Sequence, residues 1–245
     1  MLLSVHPLSG LFTSEVACAF SSRRQQNMSL SYGDTHGSIE NRRVFLGGLG
    51  LSCENLVCAK QTHASHVKYV TEKDAGSGAL SYESAIADTD GLVTDRRNLA
   101  LAIFTADCLS IFLYDPQTPA IGLIHAGWGS TKENIVSAAL KLMQGQFDSR
   151  PQNLYAGFGP AIRNCCYEVG KDFQDTFGSL ENKGGRYYLD LVALNRKQLL
   201  DSGLLQENIF DCGICTSCRN ADFFSFRKEG ATCGRIMSVI MLKAI

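Results

Sequence analysis

The stretch from Asn98 to Asp115, NLALAIFTADCLSIFLYD, is apolar on both sides of a polar centre at Thr105-Ala106-Asp107-Cys108. This pattern predicts two strand pieces flanking a kink, and the interruption is more informative than the runs. The turn-forming Asp115-Pro116-Gln117-Thr118-Pro119 follows, and Ala120 to Ile124 then reads as another buried strand, ending abruptly in His125-Ala126-Gly127-Trp128-Gly129. A hairpin here brings Cys108 and His125 to neighbouring positions.

Beyond the hairpin, Ser130 with Glu133 resembles a capping box, and Ile135, Ala139, Leu142 and Met143 recur at helical spacing. The spacing predicts one helix from Thr131 to Gln144, closed by Gly145. A second helix is predicted over Leu191 to Asp201 with Gly203 as terminator, and strands over Val67 to Thr71, Leu154 to Phe158 and Ile236 to Leu242. Hairpin-like neighbours, rather than regular strand-helix-strand units, favour an α+β class over a doubly wound sheet. No glycine-rich dinucleotide fingerprint is present.

Length and composition set the outer bounds. At 245 residues with 45% hydrophobic content and no linker, repeat or low-complexity tract, residues 1–245 read as a single domain with a substantial core. A net charge of -1 without a basic stripe gives no footprint for nucleic acid or anionic lipid, which leaves a small molecule as the expected partner. The opening MLLSVHPLSGLF has no basic segment, and His6 and Pro7 interrupt it, so a secretory signal is not expected. With no apolar window near the length of a membrane span, the expected location is cytoplasmic. The ten cysteines then read as reduced thiols rather than a disulfide scaffold.

Three positions offer chemistry: His63 in Lys60-Gln61-Thr62-His63, Cys108 after Asp107, and His125 in His125-Ala126-Gly127-Trp128. One thiolate and two imidazoles suit zinc, and three protein ligands leave a fourth tetrahedral position open, as in catalytic sites. The spacing fits no compact finger pattern, so three unrelated packed residues remain an alternative. A metal-free Cys–His dyad, with Asp107 or Asp90 orienting the ring, is another. Asp90 and Asp107 are candidates for fixing a ligand's tautomer, or else cap turns. Cys212-Gly213-Ile214-Cys215-Thr216-Ser217-Cys218, with Cys233, superficially resembles a metal knuckle, with buried free thiols as the competing reading. The adjacent Cys165-Cys166 is expected to be structural, because an extended strand sends neighbouring side chains to opposite faces. Arginines at Asn41-Arg42-Arg43, Phe224-Ser225-Phe226-Arg227 and Gly234-Arg235 can grip a phosphate or carboxylate if the fold gathers them.

Taken in order, these segments resemble a bacterial family once named multicopper polyphenol oxidoreductase or laccase-like, and now described as purine nucleoside phosphorylase and as peptidoglycan editing factor. The resemblance runs through Tyr32-Gly33-Asp34, Asn41-Arg42, Gln61-Thr62-His63, Asp90-Gly91-Leu92-Val93-Thr94, Thr105-Ala106-Asp107-Cys108 and His125-Ala126-Gly127-Trp128. It continues through Gly159-Pro160-Ala161-Ile162, Cys166-Tyr167-Glu168-Val169, Cys215-Thr216, Phe224-Ser225-Phe226-Arg227 and Gly234-Arg235. It implies a four-layer α/β/β/α fold and a metal, usually zinc, on His63, Cys108 and His125. The implied activity is phosphorolysis of adenosine, inosine and methylthioadenosine, together with adenosine deamination.

On that reading zinc activates water for attack at the purine carbon bearing the amine, while Arg42 or Arg227 holds phosphate for phosphorolysis. Two other activities stay open: amide cleavage on a muramyl nucleotide, and copper-dependent polyphenol oxidation. Five histidines are too few for a full multicopper set, although one bound copper is possible. A noncatalytic protein with a closed structural zinc is the reading from outside enzymology. The chain departs from the family's pattern at Gly129-Ser130, where relatives carry Arg and Gly; Lys132 or the amides opening the next helix are the candidate replacements for that cation. Arg163-Asn164 is a second departure.

Overall fold

The computed structural model describes residues 14–31, 33–178 and 180–244, so the N-terminal stretch read above and Tyr32 lie outside the described residues. Its first half contains β1 Val16–Phe20, α1 Thr35–Gly47, β2 Leu56–Cys58, β3 Val67–Tyr69, β4 Gly91–Thr94, β5 Ala100–Thr105, β6 Leu109–Asp115 and β7 Ala120–Ala126. Then follow α2 Trp128–Lys132, α3 Ile135–Phe147, β8 Tyr155–Phe158, β9 Glu168–Val169, α4 Phe173–Phe177 and β10 Glu181–Lys183. The chain closes with β11 Arg186–Tyr188, α5 Leu191–Asp201, β12 Ile209–Asp211, α6 Phe226–Glu229 and β13 Ile236–Leu242.

A six-stranded sheet runs β12-β8-β6-β7-β4-β3, a four-stranded one β1-β13-β5-β2, and a small third sheet β10-β11-β9. Both larger sheets mix parallel and antiparallel pairs. Because side chains alternate along a strand, β5 sends Leu101 and Ile103 into one apolar cluster and Ala100 and Ala102 into another. The first cluster lies between the two sheets, where Leu101, Ile103 and Ile240 meet Phe112, Tyr114, Ile121 and Leu123 of β6 and β7. On the far side of the large sheet, Ile111, Leu113 and Ile124 pack against Ile135, Ala139 and Met143 of α3 and Leu191 and Leu199 of α5. On the far side of the smaller one, Ala102, Met237 and Val239 pack against Phe45 and Leu46 of α1. The order helix, sheet, sheet, helix is an α+β fold in four layers. Strands covered on both faces favour apolar residues at most positions, which accounts for the near-continuous apolar runs in β5, β6 and β13, interrupted inside the last two by the buried Ser110 and Ser238.

The polar centre predicted as a kink is the point where the chain leaves one sheet for the other. β5 ends at Thr105 in the four-stranded sheet, and β6 starts at Leu109 in the six-stranded one. The β6–β7 hairpin pairs Leu109 with Ala126 and Ser110 with His125, so Cys108 and His125 are brought together as expected. The helix predicted over Thr131 to Gln144 is instead two: α2 stops at Lys132, Asn134 takes a left-handed conformation at φ 58°, and α3 restarts at Ile135. Asn tolerates that conformation better than most residues, so it breaks the helix without a glycine. The capping box is also corrected. Ser130 Oγ accepts from the Gly127 N–H and donates to the His125 carbonyl, while Glu133 accepts from the Ser65 N–H. Gly145 lies inside α3, which ends at Phe147 with Asp148 in the left-handed region.

Candidate functional site

His63, Cys108 and His125 come from three separate segments, yet their ligand atoms all lie within 4.8 Å of one another. The His63 and His125 rings meet edge to face with centroids 4.8 Å apart. Two glycines permit this closeness. A Cβ on Gly127 would stand 3.1 Å from both Cys108 Sγ and the His63 ring, and one on Gly129 would stand 2.8 Å from the His63 carbonyl. The departure at Gly129-Ser130 therefore has a steric counterpart, since a side chain at 129 would press on the backbone that carries His63.

Asp90, fully buried, organises the other side. Its Oδ1 accepts from His125 Nδ1 at 2.7 Å and from the His63 N–H at 2.9 Å, and its Oδ2 accepts from the Thr62 and Ala64 N–H groups. Capping a turn and orienting a ring, weighed above as alternatives, are here one function. The bond fixes the hydrogen on His125 Nδ1 and turns Nε2 toward the thiol. It also holds His63 at φ 63°, a left-handed conformation rare for a non-glycine residue. Burial pushes the Asp90 carboxyl up, but the His125 bond and the backbone donors outweigh it and bring it down to about 2. Burial likewise pushes the Cys108 thiol up, and the His125 charge with hydrogen bonds from both histidines holds it at about 6. In turn the Cys108 charge and the Asp90 bond raise His125 to about 9 against its own burial. Two imidazoles, one acidified thiol and a carboxylate behind one ring suit zinc with one position left open.

Asp107 does not reach either histidine. At φ 90° it accepts from Thr216 Oγ1 at 2.6 Å and from the Arg227 N–H at 2.7 Å, so it ties distant loops to the Cys108 turn rather than fixing a ligand's tautomer.

The three candidate ligands line a cavity of about 560 Å³ together with Arg42, Arg227 and Arg235. Arg42 is buried: Nε donates to the Met28 carbonyl and Nη1 to those of Gly78 and Ala79, with the guanidinium 4.4 Å over the Phe104 ring. It has no carboxylate at ion-pair distance among the described residues. Arg227 donates through Nη1 to the Glu168 carbonyl and lies over Tyr167. Lys132 is exposed and does not line the cavity, so it leaves the missing cation unreplaced.

The sequence reading missed the aromatic walls. Trp128 and Phe226, exposed at 47% and 51%, line the cavity with Tyr82, Phe104 and Tyr167. Large apolar rings left open to solvent around a polar floor are the signal, and exposure is invisible in a sequence.

A family model described as multi-copper polyphenol oxidoreductase laccase matches residues 11–243. The purine nucleoside phosphorylase YlmD of Geobacillus stearothermophilus is 36% identical over 225 residues, covering 87% of this chain and 82% of that protein. An adenosine deaminase RL5 from an unknown prokaryotic organism is 31% identical over 205 residues, 80% of this chain and 78% of that one. The crystal structure of YlmD from Geobacillus stearothermophilus superposes with a TM-score of 0.90 at 32% identity, covering 94% of this chain and 93% of that chain. No helix among the described residues is long and apolar enough to cross a membrane.

Proposed function

This chain belongs to the multi-copper polyphenol oxidoreductase laccase family, and from that membership we propose that it is a zinc-dependent purine nucleoside enzyme. Its reactions are phosphorolysis of adenosine, inosine and methylthioadenosine to free base and sugar 1-phosphate, and deamination of adenosine. The observation that carries this reading is the shared cavity. It joins an N,N,S donor set, a buried arginine with no carboxylate at ion-pair distance among the described residues, and aromatic side chains around a space of about 560 Å³.

His63, Cys108 and His125 would hold the ion. When bound, zinc supplies Lewis acidity toward water or a substrate heteroatom. Asp90 keeps the Nδ1 hydrogen on His125, so that the proton an ion would displace is the one on Nε2, whose lone pair would then face the centre of the triad. His125 and His63 hold the Cys108 thiol well below its ordinary range, which favours the thiolate that a metal needs. Trp128, Tyr167 and Phe226 stack on the base and keep water from its faces. Arg42, immobilised by three carbonyls, presents its charge without reorganising, which is the arrangement that favours phosphate binding. Arg227 of α6 lines the same cavity and adds a second cation.

Incubating the zinc-loaded protein with adenosine, with and without phosphate, tests the reading. Adenine and ribose 1-phosphate should form only with phosphate, and inosine in either case. A serine-bearing muramyl nucleotide and a phenolic substrate with added copper serve as rival substrates. Turnover of either one, with none of adenosine, would replace the proposal.

A further inference from the structure

We propose that Cys165, Cys166, Cys215 and Cys218 form a second metal site, a tetrathiolate centre for a single zinc ion that clamps the wall of the substrate cavity from behind. The expectation for these cysteines is revised on both counts. The CxxCxxC run splits: Cys215 and Cys218 turn to the adjacent pair, whereas Cys212 packs beside the core between the sheets and Cys233 is buried in it. Cys165-Cys166 lies in a turn rather than an extended strand, so both side chains reach the same place.

The four Sγ atoms all lie within 4.8 Å of one another. Zinc–thiolate bonds of about 2.3 Å set the edges of a regular tetrahedron at about 3.8 Å. Cys218 Sγ stands 3.5 Å from that of Cys165 and 3.3 Å from that of Cys166, so ligation asks for shifts of only a few tenths of an ångström there. One sulfur approached by two others is the mark of ligands around a common centre, whereas a disulfide would single out one pair. An iron–sulfur cluster needs its thiolates spread around several metal and sulfide atoms, and this group is too tight for that.

The backbone holds the two halves together without help from the thiols. Ala161 N–H donates to the Ile214 carbonyl, and Thr216 N–H returns a bond to the Ala161 carbonyl. Cys166 and Tyr167 both donate to the Arg163 carbonyl, and Arg219 N–H donates to that of Cys215. The Arg163 side chain adds a two-pronged pair with Asp211 at 2.7 Å for each bond. Cys165 and Cys218 are exposed, which gives an ion a way in.

The position gives the site a task. Tyr167, next to Cys166, lines the cavity, and Thr216, next to Cys215, bonds Asp107 beside Cys108. One ion would therefore cross-link the two loops that shape this wall.

Metal analysis of the full-length protein, reduced, loaded with excess zinc and desalted, tests this. We expect the Cys166→Ser/Cys218→Ser variant to carry one zinc fewer per chain than the parent. On a Cys108→Ser background, cobalt loading should give the intense sulfur-to-cobalt absorption of a tetrathiolate. Zinc should also protect four thiols from a disulfide exchange reagent until a chelator is added, a readout independent of how the double variant folds. Equal zinc content in parent and double variant, or four unprotected thiols in the zinc-loaded Cys108→Ser protein, would overturn the proposal.

Discussion

Asp90 and His125 share a 2.7 Å hydrogen bond between two buried side chains, and the same carboxylate caps the backbone of the loop carrying His63. One residue thus sets the direction of one candidate ligand and the backbone of another. Asp90→Asn keeps the shape but weakens the acceptor, and zinc affinity should fall about 10–100-fold, as for other carboxylates behind ligating histidines. Competition with a fluorescent chelator measures this. Asp90→Ala, which strands the buried His125 ring N–H and frees the backbone donors of 62–64, should lose about 1–3 kcal/mol of stability in a denaturant melt.

The two glycines at 129 and 145 should respond oppositely to alanine. At 129 the added Cβ would stand 2.8 Å from the His63 carbonyl, whereas at 145, within α3, it meets nothing within 4 Å. Gly129→Ala is expected to cost about 1–3 kcal/mol and to weaken zinc binding, and Gly145→Ala to gain up to about 1 kcal/mol. Paired thermal melts and zinc titrations decide; a neutral Gly129→Ala would contradict the close packing described.

Trp128 is half exposed, and its ring lies 5.4 Å from that of Phe173. Trp128→Ala should leave the melting temperature nearly unchanged and raise the nucleoside KM about tenfold, from stacking energies of about 1–3 kcal/mol per base. Unchanged KM values for adenosine and inosine would remove it from the substrate wall.

Arg42 separates the two proposed reactions. Phosphorolysis needs phosphate and deamination does not, so Arg42→Lys, which cannot span the three carbonyls, should raise the phosphate KM at least about tenfold. The deamination rate, corrected for folded fraction, should change far less. Parallel losses in both reactions would make Arg42 a strut only.

The Arg163–Asp211 pair predicts a pH-dependent stability. Burial pushes the Asp211 carboxyl up, but Arg163 and the Gly213 N–H hold it below its ordinary 3.8. Since the folded value is the lower one, the stabilisation is complete above about 3.8 and disappears as pH falls through the folded value. Asp211→Asn should cost roughly 1–3 kcal/mol at neutral pH, and the gap to the parent should close in acid. Urea melts across that range will show whether it does.

What the sequence made legible follows from how local each signal is. The helix Leu191–Asp201 matches its expected bounds because it has its own periodicity and terminator, and the strand Ile236–Leu242 matches because one near-continuous apolar run marks it. The hairpin joining Cys108 to His125 was readable from the turn residues between two apolar runs. The helix break at Asn134 was not, since helical spacing continues across it and only a positive φ reveals the stop. That Arg42 and Arg227 line one cavity, with Arg42 buried, was not readable either, because a sequence records charge but not burial or proximity. The grouping of Cys165 and Cys166 with Cys215 and Cys218 joins residues about fifty positions apart through loops that no period describes.

The passage of the chain between sheets at 106–108 ties architecture to chemistry. The thiol sits on one of the stitches between the two sheets, so cutting or permuting the chain at that point would separate Cys108 from the strand that places it beside His125 and dismantle the candidate site. Substitutions that slide one sheet over the other therefore strain the 106–108 crossing, while the β6–β7 hairpin keeps Cys108 beside His125 within one sheet.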